Sequence, residues 1–193
     1  MRIELKFITP DAEAHIGEAA SICYDSKTDR ASNVKRAAHC VSSGHLATLR
    51  FAYADVLVEG ISRVCSHQLV RVAHAGILQR SQRYVFESCI SYIDPPVLHD
   101  LPQQIKDRWT HIQDNAEALY LQLVNSGQMK KEDARYILPQ GCTTSLRICG
   151  NFQMWLDLLK NRTDKAAQWE VREAMTEVKR QLAEHAPGIF GSW

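Results

Sequence analysis

What the chain lacks narrows it quickly. Its six cysteines, Cys23, Cys40, Cys65, Cys89, Cys142 and Cys149, form no CxxC pair, and no Cys/His cluster has zinc-ligand spacing, so no metal site is expected. Formal net charge is only +1 and no basic block stands out, which gives no reason to expect a nucleic-acid or membrane partner. No apolar run reaches bilayer-spanning length, and residues 1–6 alternate like a strand rather than forming a leader. The expectation is a cytoplasmic protein with reduced, mostly buried thiols. There is no internal repeat, low-complexity tract or linker. What is present is 193 residues, 45% hydrophobic and 23% charged, enough for one domain over 1–193 with a sizeable core.

Hydrophobic spacing predicts a strand over 3–8, helices over 12–23 and 31–42, a strand over 49–58 broken by Gly60, and a helix over 61–70. Extended chain is expected over 84–93, then a long helix over 101–126 and a short one over 130–136. A strand over 143–149 and helices over 151–161 and 166–184 follow. On the long helix, Ile105, Trp109, Ile112, Ala116, Leu119, Tyr120 and Leu123 form a stripe expected to pack. Interspersed strands and helices in one domain give an α/β (α+β) fold class.

Residues 66–85, SHQLVRVAHAGILQRSQRYV, stand apart. They carry three arginines, two serines and five amide or imidazole side chains, and their second half has no apolar periodicity. Buried polar groups cost free energy unless hydrogen-bonded, so such a segment is either solvated surface or the lining of a site. Arg71, Arg83, Arg135 and Arg162 all sit where a helix or loop ends, and guanidinium groups offer planar, bidentate donors to phosphates and carbonyl edges.

Around them, Gly44-His45, Glu59-Gly60-Ile61-Ser62-Arg63, Ser66-His67-Gln68-Leu69-Val70-Arg71, Ser81-Gln82-Arg83-Tyr84-Val85, Ala134-Arg135-Tyr136-Ile137-Leu138-Pro139 and Arg162 followed by Ala167-Gln168-Trp169-Glu170 occur in that order. The chain thereby resembles the flavin-dependent thymidylate synthases, the ThyX family, over nearly its whole length. The resemblance implies a central, mainly antiparallel sheet flanked by long helices and a homotetramer with sites built from more than one subunit. It also implies methylation of deoxyuridylate with methylenetetrahydrofolate as one-carbon donor, FAD as hydride carrier and NADPH as its reductant. The partners implied are a pyrimidine nucleoside monophosphate and a folate.

The family signature RHRxxSxNxxSxR falls on residues 71–83. By resemblance, Gln68, Arg71, Gln79, Ser81, Gln82, Arg83, Arg135 and Arg162 are nucleotide-binding, with Arg162 also catalytic, and Asn151 and His45 are cofactor-binding. The flavin side departs from the pattern. Val72 and Ala73 replace the histidine and second arginine, and Gly76 and Leu78 replace the first serine and the asparagine. The upstream GHxSxxEH pattern reads Gly44-His45-Leu46-Ala47-Thr48-Leu49-Arg50-Phe51, without its serine, glutamate and second histidine. Downstream, the pattern's arginine after Asn151 is Gln153, and Asp157 stands four residues further on. Each lost arginine contact removes about 1.5–3 kcal/mol of charge-assisted binding.

Three readings follow. The chain is a ThyX-type C5 methyltransferase with FAD in an altered pocket. Alternatively it is a flavin-independent nucleotide hydroxymethylase, in which Cys142, Cys149 or Cys65 serves as nucleophile and His74 as general base. The third is a non-catalytic nucleotide-binding paralogue.

Overall fold

The computed structural model describes residues 1–87 and 89–191. Strand β1 (Arg2–Ile8) pairs antiparallel with β2 (Tyr53–Ser62), setting Ile3 opposite Val58 and Leu5 opposite Val56. With β3 (Gly76–Gln79) and β4 (Thr143–Asn151) they form a four-stranded antiparallel sheet of order β1-β2-β4-β3. Alternation decides the faces: Ala54, Val56 and Val58 of β2 are buried, as are Thr144, Leu146 and Ile148 of β4. The helices are α1 (Ala12–Ser21), α2 (Arg30–Ser42), α3 (Arg63–Leu69), α4 (Gln103–Asn125), α5 (Lys131–Ala134), α6 (Phe152–Arg162), α7 (Trp169–His185) and α8 (Pro187–Phe190). This is the α/β class with an antiparallel sheet and long helices that the sequence predicts.

Side-chain caps fix three helix starts. Asp29 accepts from the Ser32 N–H at 3.1 Å, Asn151 from the Met154 N–H at 2.9 Å, and Gln168 from the Glu170 and Val171 N–H groups at 3.1 and 3.0 Å. The last of these explains why α7 begins at Trp169 and not at 166.

The chain clusters into two compact units. The first comprises residues 1–59, 68–78 and those from 146 onward. Its core gathers Ile16, Val56, Ile148, Phe152, Trp155, Leu159, Val171, Met175, Val178 and Leu182, all buried. Phe152 meets Phe190 edge-on at 5.0 Å, and the Trp155 indole donates to the Ala54 carbonyl at 3.0 Å. α1 and α2 approach so closely at Gly17 that a Cβ there would lie 1.9 Å from the Asn33 carbonyl oxygen.

The second unit comprises residues 60–67 and 79–145. Here Tyr120 is fully buried and stacks on Phe86 at 6.1 Å. Asp94 accepts from the Trp109 indole at 2.7 Å and from Gln113 at 2.9 Å, and Arg80 pairs with Glu87 at 2.9 Å.

Several expectations change. Residues 46–51 form a 3₁₀ turn, and the strand expected at 49–58 starts at Tyr53 and runs to Ser62, because Gly60 adopts φ 67° and carries the chain on instead of ending it. Within 84–93 the described residues show only an isolated bridge, Tyr92 to Cys142. β3 falls where no strand pattern was legible. The α4 stripe is largely open to solvent: Ile105, Trp109, Ile112 and Leu119 are 40–61% exposed, while Gln113, Ala116 and Tyr120 are buried. The thiols divide evenly, with Cys40, Cys65 and Cys142 buried and Cys23, Cys89 and Cys149 exposed, none of them in a disulfide. Among the described residues no helix is long and apolar enough to cross a membrane.

Candidate functional site

In the first unit, a cavity of about 820 Å³ opens between the end of α3, the turn after it, the 3₁₀ turn at 46–51 and the inner face of α6. Its lining includes Arg50, Arg71, His74, Asn151, Gln153 and Arg162. α6 explains much of this. Gln153, Asp157 and Asn161 recur every four residues and share one helical face, while Phe152, Trp155, Leu156 and Leu159 are buried. The polar stripe of an amphipathic helix therefore becomes a wall.

The other wall is the segment in which the signature is altered. Val72, Ala73 and His74 line the cavity, and His74 adopts φ 62°, a left-handed conformation uncommon for a residue with a Cβ. This sharp turn delivers the chain from Arg71 into β3. At the next pattern position, Gly76, an added Cβ would meet the Cys149 carbonyl oxygen at 3.8 Å, an ordinary van der Waals contact.

The electrostatics of the cavity are one-sided. Arg162 donates only a long contact, 3.4 Å, to the Gln68 carbonyl. Arg50 donates through Nε to Gln153 Oε1 at 2.7 Å. Among the described residues neither these two nor Arg71 forms an ion pair. The remaining arginines of this unit are all engaged. Arg2, Arg30, Arg147 and Arg180 meet carboxylates, and Arg36 and Arg172 each hold at least two backbone carbonyls or amides. Arg50, Arg71 and Arg162 are thus three cations on one concave surface, with Asp157 as the acid in the wall and no salt bridge to it.

Gln68, Arg71, His74, Asn151 and Arg162 of the sequence-predicted set belong to this unit, and all but Gln68 line the cavity. Gln68 reaches it through its carbonyl on Arg162. The Asn151 Oδ1 is committed to the α6 cap. His45 is exposed, starts the 3₁₀ turn and is not among the lining residues.

Gln79, Ser81, Gln82, Arg83, Arg135 and Cys142 belong to the second unit. Arg83 donates to Glu132 at 3.1 and 3.2 Å, lies 5.6 Å from the Tyr84 ring centroid, and has its backbone N–H bonded to Ser81 Oγ at 3.2 Å. Arg135 donates to the Glu132 carbonyl at 3.0 Å. These two arginines converge on one residue. Gln79 donates to Ser66 Oγ at 3.1 Å and to Thr144 Oγ1 at 3.4 Å, and the buried Gln82 donates to Cys142 Sγ at 3.6 Å. Burial pushes the Cys142 thiol up, which favours its neutral form at neutral pH. The Cys149 thiol is also raised, by burial first and by Asp55 second.

Arg50 and Asn161 are lining residues that motif reasoning missed. Arg50 had a signal: it stands where the GHxSxxEH pattern has glutamate.

Comparisons with known proteins place the chain in a family. Residues 4–188 match the family described as thymidylate synthase complementing protein. A flavin-dependent thymidylate synthase of Corynebacterium glutamicum is 31% identical over 200 residues, covering 94% of this chain and 80% of that protein. The flavin-dependent thymidylate synthase of Mycobacterium marinum is 30% identical, covering 94% and 79%. That of Mycobacterium bovis is 30% identical, covering 96% and 82%. With a family match over nearly its whole length and relatives at this identity and coverage, the chain belongs to the flavin-dependent thymidylate synthase family.

Proposed function

We propose that this chain is a thymidylate synthase-type methyltransferase that acts on a pyrimidine nucleoside monophosphate, with deoxyuridylate as the substrate to test first. The observation that carries this reading is the group of three arginines in one cavity, none of them in an ion pair among the described residues, against a single carboxylate, Asp157. Like charges gathered on a concave surface repel, and an external anion relieves that repulsion. At about 820 Å³ the cavity is large enough for a nucleotide-sized ligand.

On this reading Arg71 holds the nucleotide's phosphate. Arg162, oriented by the Gln68 carbonyl, meets the pyrimidine carbonyl edge and stabilises negative charge that develops on the ring. His74 lies in the same cavity, placed to take up a proton released when C5 gains a one-carbon unit from methylenetetrahydrofolate. The donors present also fit an FAD diphosphate in charge, through Arg50 with the amides of Asn151 and Gln153. Reduced FAD, when bound, supplies the hydride that completes the methyl group, and NADPH is its proposed reductant. No covalent step is assigned to Cys142, whose buried thiol is a poor nucleophile. The homotetramer belongs to the same reading, supported by the open apolar face of α4, where Ile112 is 61% exposed.

The test is NADPH-dependent formation of thymidylate from deoxyuridylate by the purified protein, with its visible absorbance spectrum and its mass by light scattering. Thymidylate formation, a flavin spectrum and a tetrameric mass are expected. A colourless protein that neither takes up FAD nor turns over deoxyuridylate would contradict the reading.

A further inference from the structure

We infer that Arg50 is a phosphate-binding residue, which brings to this cavity the cation that the family pattern carries at position 153. The inference rests on the cavity being a nucleotide or flavin-nucleotide site, as proposed above. The pattern has glutamate at position 50 and arginine at position 153, and this chain has Arg50 and Gln153. The two side chains touch, although 103 residues separate them in sequence. The exchange moves the cation from α6 to the 3₁₀ turn and removes the carboxylate. The formal charge of the pair goes from zero to +1.

The scaffold holds this pair in register. The Phe152 N–H donates to the Ala52 carbonyl at 2.8 Å, and the Trp155 indole to the Ala54 carbonyl. Both contacts clamp the chain just after Arg50 onto the first turn of α6. Gln153 then acts as a neutral acceptor that fixes Nε. The two terminal nitrogens of Arg50 make no hydrogen bond or ion pair to the described residues and are available as a bidentate fork. Asp157, one turn further along α6, lines the same cavity without pairing with Arg50. An arginine held at Nε by a neutral amide, with its fork open toward a cavity that also holds Arg71 and Arg162, suits a phosphate ester. That phosphate comes either from the nucleoside monophosphate or from the diphosphate of FAD.

The test is titration of wild type, Arg50→Gln and the double variant Arg50→Glu/Gln153→Arg with dUMP by calorimetry, and with FAD and riboflavin by flavin fluorescence. Arg50→Gln is expected to weaken FAD or dUMP about tenfold or more, the scale of one charge-assisted contact, while its melting temperature stays at the wild-type value. The affected ligand identifies the source of the phosphate. Riboflavin, which has no phosphate, should be unaffected. The double variant should bind better than Arg50→Gln, because it returns the cation to position 153. Equal affinity of wild type and Arg50→Gln for both dUMP and FAD would overturn the inference and leave the reading of the site intact. Equal losses for riboflavin and FAD would also overturn it. Wild-type protein that binds neither dUMP nor FAD would overturn the inference and that reading together.

Discussion

The arginines that the motifs single out in the second unit and those that line the cavity of the first are held differently. In the second unit Arg80 is paired with Glu87 and Arg83 with the Glu132 carboxylate, while Arg135 donates to the Glu132 backbone carbonyl. In the first unit the cavity arginines Arg50, Arg71 and Arg162 have no carboxylate partner among the described residues, while Arg2, Arg30, Arg147 and Arg180 all do. An arginine with an internal counter-charge is already satisfied, and a ligand must compete for it. One without a counter-charge gains most from an incoming anion. The cavity is therefore where the binding energy of an anionic ligand should concentrate.

The largest expected effect is in the cavity. Arg71→Ala or Arg162→Ala should weaken dUMP binding by about 1.5–3 kcal/mol, roughly 10- to 150-fold, measured by calorimetry. Their stability in urea should change by no more than about 0.5 kcal/mol, since neither side chain is tied into an ion pair.

Asn151→Ala separates two roles at the cavity's edge. Because its Oδ1 caps α6, the substitution should cost about 1 kcal/mol of stability in urea unfolding. A change in ligand affinity with no loss of stability would place its main role with the ligand.

Glu132→Gln probes the other side of the comparison. The Arg83 pair is exposed, so stability should fall by no more than about 1 kcal/mol. Because the nucleotide is read into the cavity of the first unit, where Arg83 is not a lining residue, dUMP affinity should stay within a few-fold of wild type. Weaker binding would mean that Glu132 positions Arg83 for the ligand.

A further effect, read in stability alone, lies at alkaline pH in the second unit. Burial, with Glu117 next, pushes the Tyr92 hydroxyl up from 10.0 to about 12. A raised folded-state pKa means stability fully present below pH about 10 and lost as pH rises toward about 12. Unfolding midpoints in urea should fall across that window, and Tyr92→Phe should flatten the slope.

Much of the fold was legible because local signals agree with it. Asp29, Asn151 and Gln168 cap helices that the apolar spacing already announces, and β1 and β4 alternate clearly. What was not legible depends on distant partners. The short strand β3 exists through its pairing with β4, and the residues that follow it, 79–84, show no apolar period of their own. The α4 stripe announces a helix but not what covers it, since the spacing of Ile105, Trp109 and Ile112 is the same for a core face and for an open one. In the site, Arg71 and Arg162 were found by motif position. Arg50 was not, because its pattern position calls for glutamate, and its partnership with Gln153 shows only in the fold.

The central claim is that three arginines outside any ion pair make this cavity a site for a phosphate-bearing ligand. Titration of the purified wild-type protein with dUMP and with FAD at increasing salt tests it most directly. The account predicts saturable binding that weakens as salt screens the arginines, and that Arg71→Ala and Arg162→Ala lose. Binding that ignores salt and survives both substitutions, or no binding of either ligand, would contradict it.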